Sequence, residues 1–281
     1  MLTPLSELLE SIRTLARECG TMILDRSSLT EVDDKGTDSN LVTNMDVHVQ
    51  SLITERVLAL LPGSRVVGEE GIHKQPDTDP VSTESGSTYT WVIDPIDGTS
   101  NYVRDIGCSV ISIGLFKNGT PYAGVVYNPY RDEMFSGAMG HGAFLNSKKI
   151  EVSSRDFPHG HLCSAMSLYK KEYAPPCFRI IEKVYAESDD LRRFGSAAYE
   201  LCMLAAGRIE LYFEIRLSPW DAAAAYPIIT EAGGFIECLH QEGFPVDRPF
   251  PLIAANSKES FSRLKEIVLS EIPVMPYDER I

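Results

Sequence analysis

Residues 89–93 are aromatic or β-branched and run directly into Asp94-Pro95-Ile96-Asp97-Gly98-Thr99. Side chains of that kind suit a pleated, packed surface, so the run predicts a buried strand that delivers Asp94 at its carboxyl end. Pro95 fixes φ and removes an N–H, which predicts a turn just after the strand. Asp94 and Asp97 then converge on one point while the carbonyl of Ile96 turns the same way, and such an all-oxygen set suits a hard cation such as Mg²⁺. Gly98 and Thr99 offer backbone N–H groups with no bulky side chain in front of them, a turn able to cradle a phosphate. An isolated Asp-Gly pair reads as an ordinary acidic turn. Five fixed residue types in Asp-Pro-x-Asp-Gly-Thr make that plain reading less persuasive here.

The rest of the chain alternates helix and strand signals around this segment. Leu5, Leu8, Leu9, Ile12, Leu15, Ala16, Cys19, Met22 and Ile23 recur at spacings of three and four, the stripe of an amphipathic helix. Polar residues over 27–40 predict a loop, and Met45, Val49, Leu52, Ile53, Val57 and Leu60 mark a second helix ending before Pro62 and Gly63. A short strand at 65–67 runs into Gly68, Glu69 and Glu70, and the Pro-, Asp- and Ser-rich stretch 72–88 predicts an exposed loop. Strands at 109–116 and 122–126 flank Asn118-Gly119, a hairpin signal. Beyond residue 150 come helices at 182–186, 197–206 and 222–232, strands at 191–194, 209–213 and 252–255, and a closing helix. Gly207 and Gly233 stop two of those helices, while Pro227 is expected to kink the third or to sit near its start. No repeat or Pro/Ser linker divides the chain. It reads as one catalytic α/β unit over 1–281, with an N-terminal α+β half at about 1–150 and a C-terminal α/β half at about 151–281.

Charge bears on partners. The 40 acidic against 26 basic residues give a net charge of −14, and no basic patch is visible, so neither nucleic acid nor an anionic membrane is expected as a partner. The six cysteines lie far apart without a Cys/His zinc pattern, which predicts reduced thiols in a cytoplasmic protein. Glu7 and Glu10 interrupt the first apolar pattern, arguing against a signal peptide, and no run of about 18 apolar residues suggests a membrane span. Most of the acidic excess reads as solubility. The carboxylates set among apolar residues and glycines need another account. Two of them about 4 Å apart repel by about 4 kcal/mol at an effective dielectric near 20, so four or five share a pocket only with cations or protons.

Three further segments accompany the acidic strand end: Leu41-Val42-Thr43-Asn44-Met45-Asp46, then Gly68-Glu69-Glu70, then Trp220-Asp221-Ala222-Ala223 leading to Glu231-Ala232-Gly233-Gly234. In these motifs, their order and their spacing the chain resembles the inositol monophosphatase family, metal-dependent phosphatases related to fructose-1,6-bisphosphatases. The resemblance covers most of the chain and implies a layered αβαβα sandwich. It also implies two or three Mg²⁺ ions. Glu69, Asp94 and the Ile96 carbonyl would bind one, and Asp94, Asp97 and Asp221 a second. Gly98 and Thr99 would hold the phosphate, and Thr99, assisted by Asp46 or Glu69, would orient the attacking water. Glu214 and the turn Gly195-Ser196-Ala197 would meet substrate hydroxyls. Lithium inhibition and a homodimer belong to the same expectation.

Each residue also has a plainer reading. Asp46 follows Thr43 by three and fits a capping box equally well. Glu69 and Glu70 alone would be exposed acids, and Asp221 fits a helix N-terminus. Lys35 is either a solvated loop charge or a screen for the acidic pocket. His159 and His161 lack the partner ligands that zinc requires. Asn40 and Ala224 stand where the resembled family often has an acid and a glycine. The expected reaction is hydrolysis of a small phosphorylated polyol or nucleotide. Ser100-Asn101-Tyr102 resembles the inositol monophosphatase branch more than the bisphosphate nucleotidases, and fructose 1,6-bisphosphate, histidinol phosphate and a 3′(2′),5′-bisphosphonucleotide stand as the alternative substrates. A non-catalytic binding protein on the same fold is the rival from another class.

Overall fold

Leu8, Ile12, Leu15, Ala16, Cys19 and Ile23 form the buried face of helix α1 (Leu5–Leu24) in the computed structural model, which describes residues 5–28, 32–34, 41–71, 86–164 and 171–276. A second helix, α2 (Asn44–Leu60), lies beside it, and Met45, Val49, Ile53 and Val57 join the same core. Both cover one face of a seven-stranded sheet made of β3 (Arg65–Gly68), β4 (Tyr89–Asp97), β5 (Val110–Lys117), β6 (Thr120–Asn128), β7 (Glu133–Ala138), β8 (Gly142–Leu145) and β9 (Lys148–Lys149), in that spatial order. Only β3 and β4 run parallel; the remaining pairs are antiparallel. The pleat sends alternate residues to opposite faces. Trp91 and Ile93 therefore pack toward α1 and α2, whereas Val92 packs on the other side.

That other side is filled by α5 (Ala197–Ala205), α6 (Pro219–Ala223) and α7 (Ala225–Glu231), which separate the first sheet from a second. The second sheet has the order β11 (Asp190–Arg192), β10 (His161–Cys163), β12 (Leu211–Leu217), β14 (Phe250–Ala255), β13 (Phe235–Cys238). Helices α4 (Ala174–Tyr185) and α8 (Lys258–Glu271) close its outer face over Cys177, Ile180, Val184, Leu264 and Ile267. The layers are helix, sheet, helix, sheet, helix, as expected. All six cysteines are free thiols, and among the described residues no helix is long and apolar enough to cross a membrane.

Several local expectations change. Within the stretch read as a loop, β1 (Val32–Asp34) pairs antiparallel with the adjoining β2 (Leu41–Thr43), a short ribbon with no apolar alternation to announce it. The helix expected over 222–232 is two helices that meet at Ala224, with Pro227 near the start of the second, where its missing N–H costs least. Strands β7 and β8 were not anticipated, because glycines and a serine break up their apolar pattern. The strand expected at 191–194 ends at Arg192, leaving Phe194 in a turn. Asn118 and Gly119 have φ of 53° and 78°, the paired positive values of the expected hairpin turn. Lys35, Asn40 and 72–85 lie outside the described residues.

Close approach of α6 and α7 to the first sheet sets the position of Asp221. A Cβ on Gly124 would sit 2.0 Å from Ala224 O, and one on Gly114 2.8 Å from the Ala223 carbonyl carbon. Backbone cannot yield as a side chain would. Gly124→Ala is expected to lower unfolding free energy by about 3 kcal/mol, at the upper end of typical overpacking. Chemical denaturation measures it, and unchanged stability would show that the helices are not seated on the glycines.

Candidate metal centre

Along a regular strand, residues three apart point to opposite faces. Asp94 and Asp97 do not. Asp94 pairs with Ser112 and Asp97 with Val110, so β4 carries one more residue than β5 between these pairs. The turn expected after residue 93 is thus a β-bulge inside the strand, placed where Pro95 has no N–H to give to the ladder. Ile96 N–H donates to Asp94 Oδ1 at 3.0 Å, which helps fix that carboxylate. The bulge turns both acids to one side, where Asp221 joins them. Carboxylate oxygens of Asp94, Asp97 and Asp221 lie within 4.8 Å of one another, the one group of three potential metal-ligating side chains this close among the described residues. Two ligands on opposite sides of one cation, at the 2.0–2.6 Å oxygen distances typical of Mg²⁺ and Ca²⁺, stand about 4 to 5 Å apart, so this all-oxygen set fits a hard divalent cation.

Helix starts hold the acids. The first turn of α5 receives Asp97: Ala197 N–H and Ala198 N–H donate to it at 3.2 and 2.7 Å, and Ser196 Oγ at 2.8 Å. Exposed N–H groups and the positive end of the helix dipole favour a carboxylate there. Asp221 lies in the first turn of α6 and closes a capping box with Ser218, whose N–H it accepts at 2.9 Å. Asp46 does the same for α2, accepting Thr43 N–H at 2.8 Å and the Thr43 hydroxyl at 2.5 Å through Oδ2. Its other oxygen lies 3.4 Å from Thr99 Oγ1. Capping and a place at the site are therefore compatible, because one carboxylate has two oxygens and one of them is left over.

Thr99 opens the short helix α3 (Thr99–Val103), and its hydroxyl also donates to Ile96 O at 3.1 Å, leaving that carbonyl one further lone pair. Gly98 sits at φ 89°, where a Cβ would meet Cys108 O and Gly195 O at 3.1 Å each. Glu69 follows β3, and its N–H donates to Ile93 O at 3.2 Å. Its oxygens stand outside the 4.8 Å trio, yet it is near enough to raise the pKa of Asp46, Asp94 and Asp221. Glu214 is buried on β12 and accepts from Tyr212 O–H at 2.8 Å. Of the turn expected to meet substrate, Ser196 and Ala197 direct their donors at Asp97, while Gly195 lies against Gly98. His159 is exposed and paired with Asp156 at 2.6 Å, away from the carboxylate cluster.

The contacts of three polar residues beside the site escaped the sequence reading, which named Asn101 only within the Ser100-Asn101-Tyr102 triplet. Gln50 accepts Glu70 N–H at 3.0 Å, Asn101 donates to three carbonyls and the buried Glu200 accepts two backbone N–H groups. A buried acid three residues into a helix that starts at a Gly-Ser was the available signal for Glu200. Its plain reading as a helix-start carboxylate concealed it.

Burial dominates the electrostatics. It pushes Asp94 and Asp221 well above the usual carboxylate range, reinforced by their acidic neighbours. Asp46 is raised to about 7 and Asp97 to about 6, in each case mainly by burial, with hydrogen bonds from Thr43 and from the α5 start pulling the other way.

The inositol monophosphatase family model matches residues 4–271. The chain belongs to the inositol monophosphatase family. The inositol-1-monophosphatase of Bacillus subtilis is 31% identical to it over 257 residues, covering 91% of this chain and 94% of that one. A Salmonella typhimurium protein named Nus factor SuhB is 35% identical over 226 residues, covering 79% and 81%. The solved Thermotoga maritima IMPase superposes with a TM-score of 0.81 at 26% identity, covering 95% of this chain and 98% of its own. Membership in the inositol monophosphatase family supports a phosphatase.

The raised carboxyls of this family member fix the sign of its pH dependence. Asp46 and Asp97 ordinarily titrate at 3.8, and burial lifts Glu200 from 4.5 to about 8. Between the lower and the upper values the folded chain binds more protons than the unfolded one, so stability falls as pH rises. In chelator, Tm is expected to drop from pH 5 to pH 8, and a divalent cation to raise Tm more at pH 8 than at pH 5. A chelated protein whose Tm climbs across that window contradicts the electrostatic reading.

Proposed function

We propose that this chain hydrolyses a small phosphate monoester, with inositol monophosphate as its substrate and Mg²⁺ as its cofactor. The observation that carries the reading is the convergence of Asp94, Asp97 and Asp221 oxygens within 4.8 Å beside a left-handed glycine turn at a helix start. Glu69, Asp94 and the Ile96 carbonyl would hold one cation and Asp94, Asp97 and Asp221 another, with room in the family pattern for a third. When bound, such cations lower the pKa of water, neutralise phosphate oxygens and stabilise a leaving alkoxide.

The chain's own groups do the rest. Backbone N–H groups of Gly98 and Thr99 hold the phosphate, so the phosphorus faces the Thr99 hydroxyl. That hydroxyl, fixed between Ile96 O and Asp46 Oδ1, orients a water for attack in line with the ester oxygen. Asp46 or Glu69 takes the proton of that water. Burial raises Asp46, which makes it a stronger base than an exposed carboxylate. The phosphorus–ester bond breaks, the alkoxide gains a proton, and inorganic phosphate and alcohol leave. Gly195, Ser196, Ala197 and Glu214 form the wall that selects the alcohol. Residues 1–281 act as one catalytic unit; a lithium-sensitive homodimer in the cytoplasm completes the proposal and rests on the family alone.

Phosphate release from a panel of inositol 1-phosphate, fructose 1,6-bisphosphate, histidinol phosphate and a 3′,5′-bisphosphonucleotide tests the substrate. The inositol ester is expected to lead in kcat/KM by at least about tenfold, the discrimination one well-placed contact provides. Equal and feeble turnover of all four removes the assignment. Asp94→Asn is expected to lower kcat by at least about 10²-fold, as loss of one transition-state contact does, with an unchanged circular dichroism spectrum. The name Nus factor SuhB of one relative favours a second reading, a binding role on the same fold. Unimpaired biological function of a folded, inactive Asp94→Asn chain would favour that role over catalysis.

A further inference from the structure

The turn at 194–196 belongs to the C-terminal half of the chain, yet it lies against the phosphate turn of the N-terminal half. A Cβ on Gly98 would meet Gly195 O at 3.1 Å and Ser196 Cβ at 3.2 Å. Two side chains grip this turn. Asn101, on α3, donates through Nδ2 to Phe194 O at 2.7 Å, to Gly195 O at 3.3 Å and to Cys108 O at 2.7 Å. Glu200, on α5, accepts Phe194 N–H at 2.6 Å and Gly195 N–H at 2.9 Å through Oε1. All four backbone polar groups of residues 194 and 195 are thereby satisfied by two side chains, one 9% exposed and the other fully buried. The three residues that follow each donate to Asp97, from Ser196 Oγ, Ala197 N–H and Ala198 N–H.

We propose that Asn101 and Glu200 are positioning residues: together they fix the 194–196 turn and, through Ser196, Ala197 and Ala198, aim the Asp97 carboxylate at the cation site. The inference rests on the reading above, in which Asp97 is a cation ligand. Its physical basis is that Asp97 makes its ordering contacts with the other half of the chain, so its aim depends on how that half is held. Each backbone group that Asn101 or Glu200 ceased to satisfy would cost about 1–3 kcal/mol in a buried turn, enough to make the turn seek another shape. The role of Glu200 needs only an acceptor. Its second oxygen is buried near the Cys163 thiol, and burial beside Glu214 and Asp97 disfavours its charge. An amide in its place keeps the acceptor that Phe194 and Gly195 use. Asn101 needs its donors: a carboxylate there would face three carbonyl oxygens.

The test counts Mn²⁺ bound to the full chain after chelator treatment, from the electron paramagnetic resonance signal of the free ion, alongside kcat and KM for the ester. Asn101→Asp and Glu200→Leu, which removes the acceptor, are each expected to weaken Mn²⁺ binding by about 10- to 100-fold, the usual effect of losing a partner that orients a ligand, whereas Glu200→Gln, which keeps the acceptor, binds within about twofold of the wild type. The kcat of Asn101→Asp falls in step, and its KM for the ester rises as well, because the turn it releases also forms the wall that meets the alcohol. A folded Asn101→Asp with wild-type Mn²⁺ affinity overturns the inference, as does a Glu200→Gln chain as weak as Asn101→Asp. Should Asn101→Asp fail to fold, Asn101→Ser takes its place under the same two criteria. A wild-type chain that binds no Mn²⁺ would sink the proposed function itself. Normal binding by wild type and variants alike would remove only the positioning role.

Discussion

Carboxylates gathered in a protein interior repel one another by about 3 to 4 kcal/mol per pair at the separations found here, even with an effective dielectric near 20. The four acidic neighbours of Asp94 all push its proton on rather than off. Such a cluster persists only if something compensates it, either protons or cations. Much of the architecture is the means of bringing these acids together despite the cost. A bulge in β4 turns two acids of one strand to the same side, and three helices offer first-turn positions to Asp46, Asp97 and Asp221. Helix starts soften the repulsion by a few tenths to one kcal/mol each, which is too little to cancel it. Protons held by the raised carboxyls offset it at low pH, and cations are the alternative as pH rises.

The five layers explain why the acids meet. Strand ends β3 and β4 supply Glu69 and the Asp94–Asp97 pair from the first sheet, and the middle helices α5 and α6 start at its edge. Glycines on β5 and β6 let the backbone at 223–224 approach the sheet closely, which brings Asp221 down to the bulge. The turn before α5 then locks Asp97 from the opposite half. No single segment of the chain contains the site. It exists only when both sheets and the helices between them are in place.

Legibility in the sequence followed the strength of the local signal. Long amphipathic stripes such as 5–24 and the aromatic run at 89–93 announced their elements, because burial on a fixed period leaves a pattern. The three acids Asp94, Asp97 and Asp221, which the structure gathers, stood out as well, since Asp-Pro-x-Asp-Gly-Thr and Trp-Asp are unusual combinations. The bulge was not, because nothing local to residues 94–97 states how many partners lie opposite on β5. The contacts of Asn101, Gln50 and Glu200 were missed for a related reason. These residues act on backbone groups 5 to 94 residues away, and an amide or an acid on a helix looks the same in sequence whether it faces water or a buried turn. For Asp46 and Asp221, capping and a place at the site stand as rival readings in the sequence, whereas the two oxygens of a carboxylate allow both.

Crystals grown with Mn²⁺ and inorganic phosphate offer the most direct measurement of the central claim. Anomalous difference density should appear between the carboxylates of Asp94, Asp97 and Asp221, with phosphate against the turn at Gly98 and Thr99. Manganese bound only at other surface acids, with these three side chains unliganded, would contradict the account.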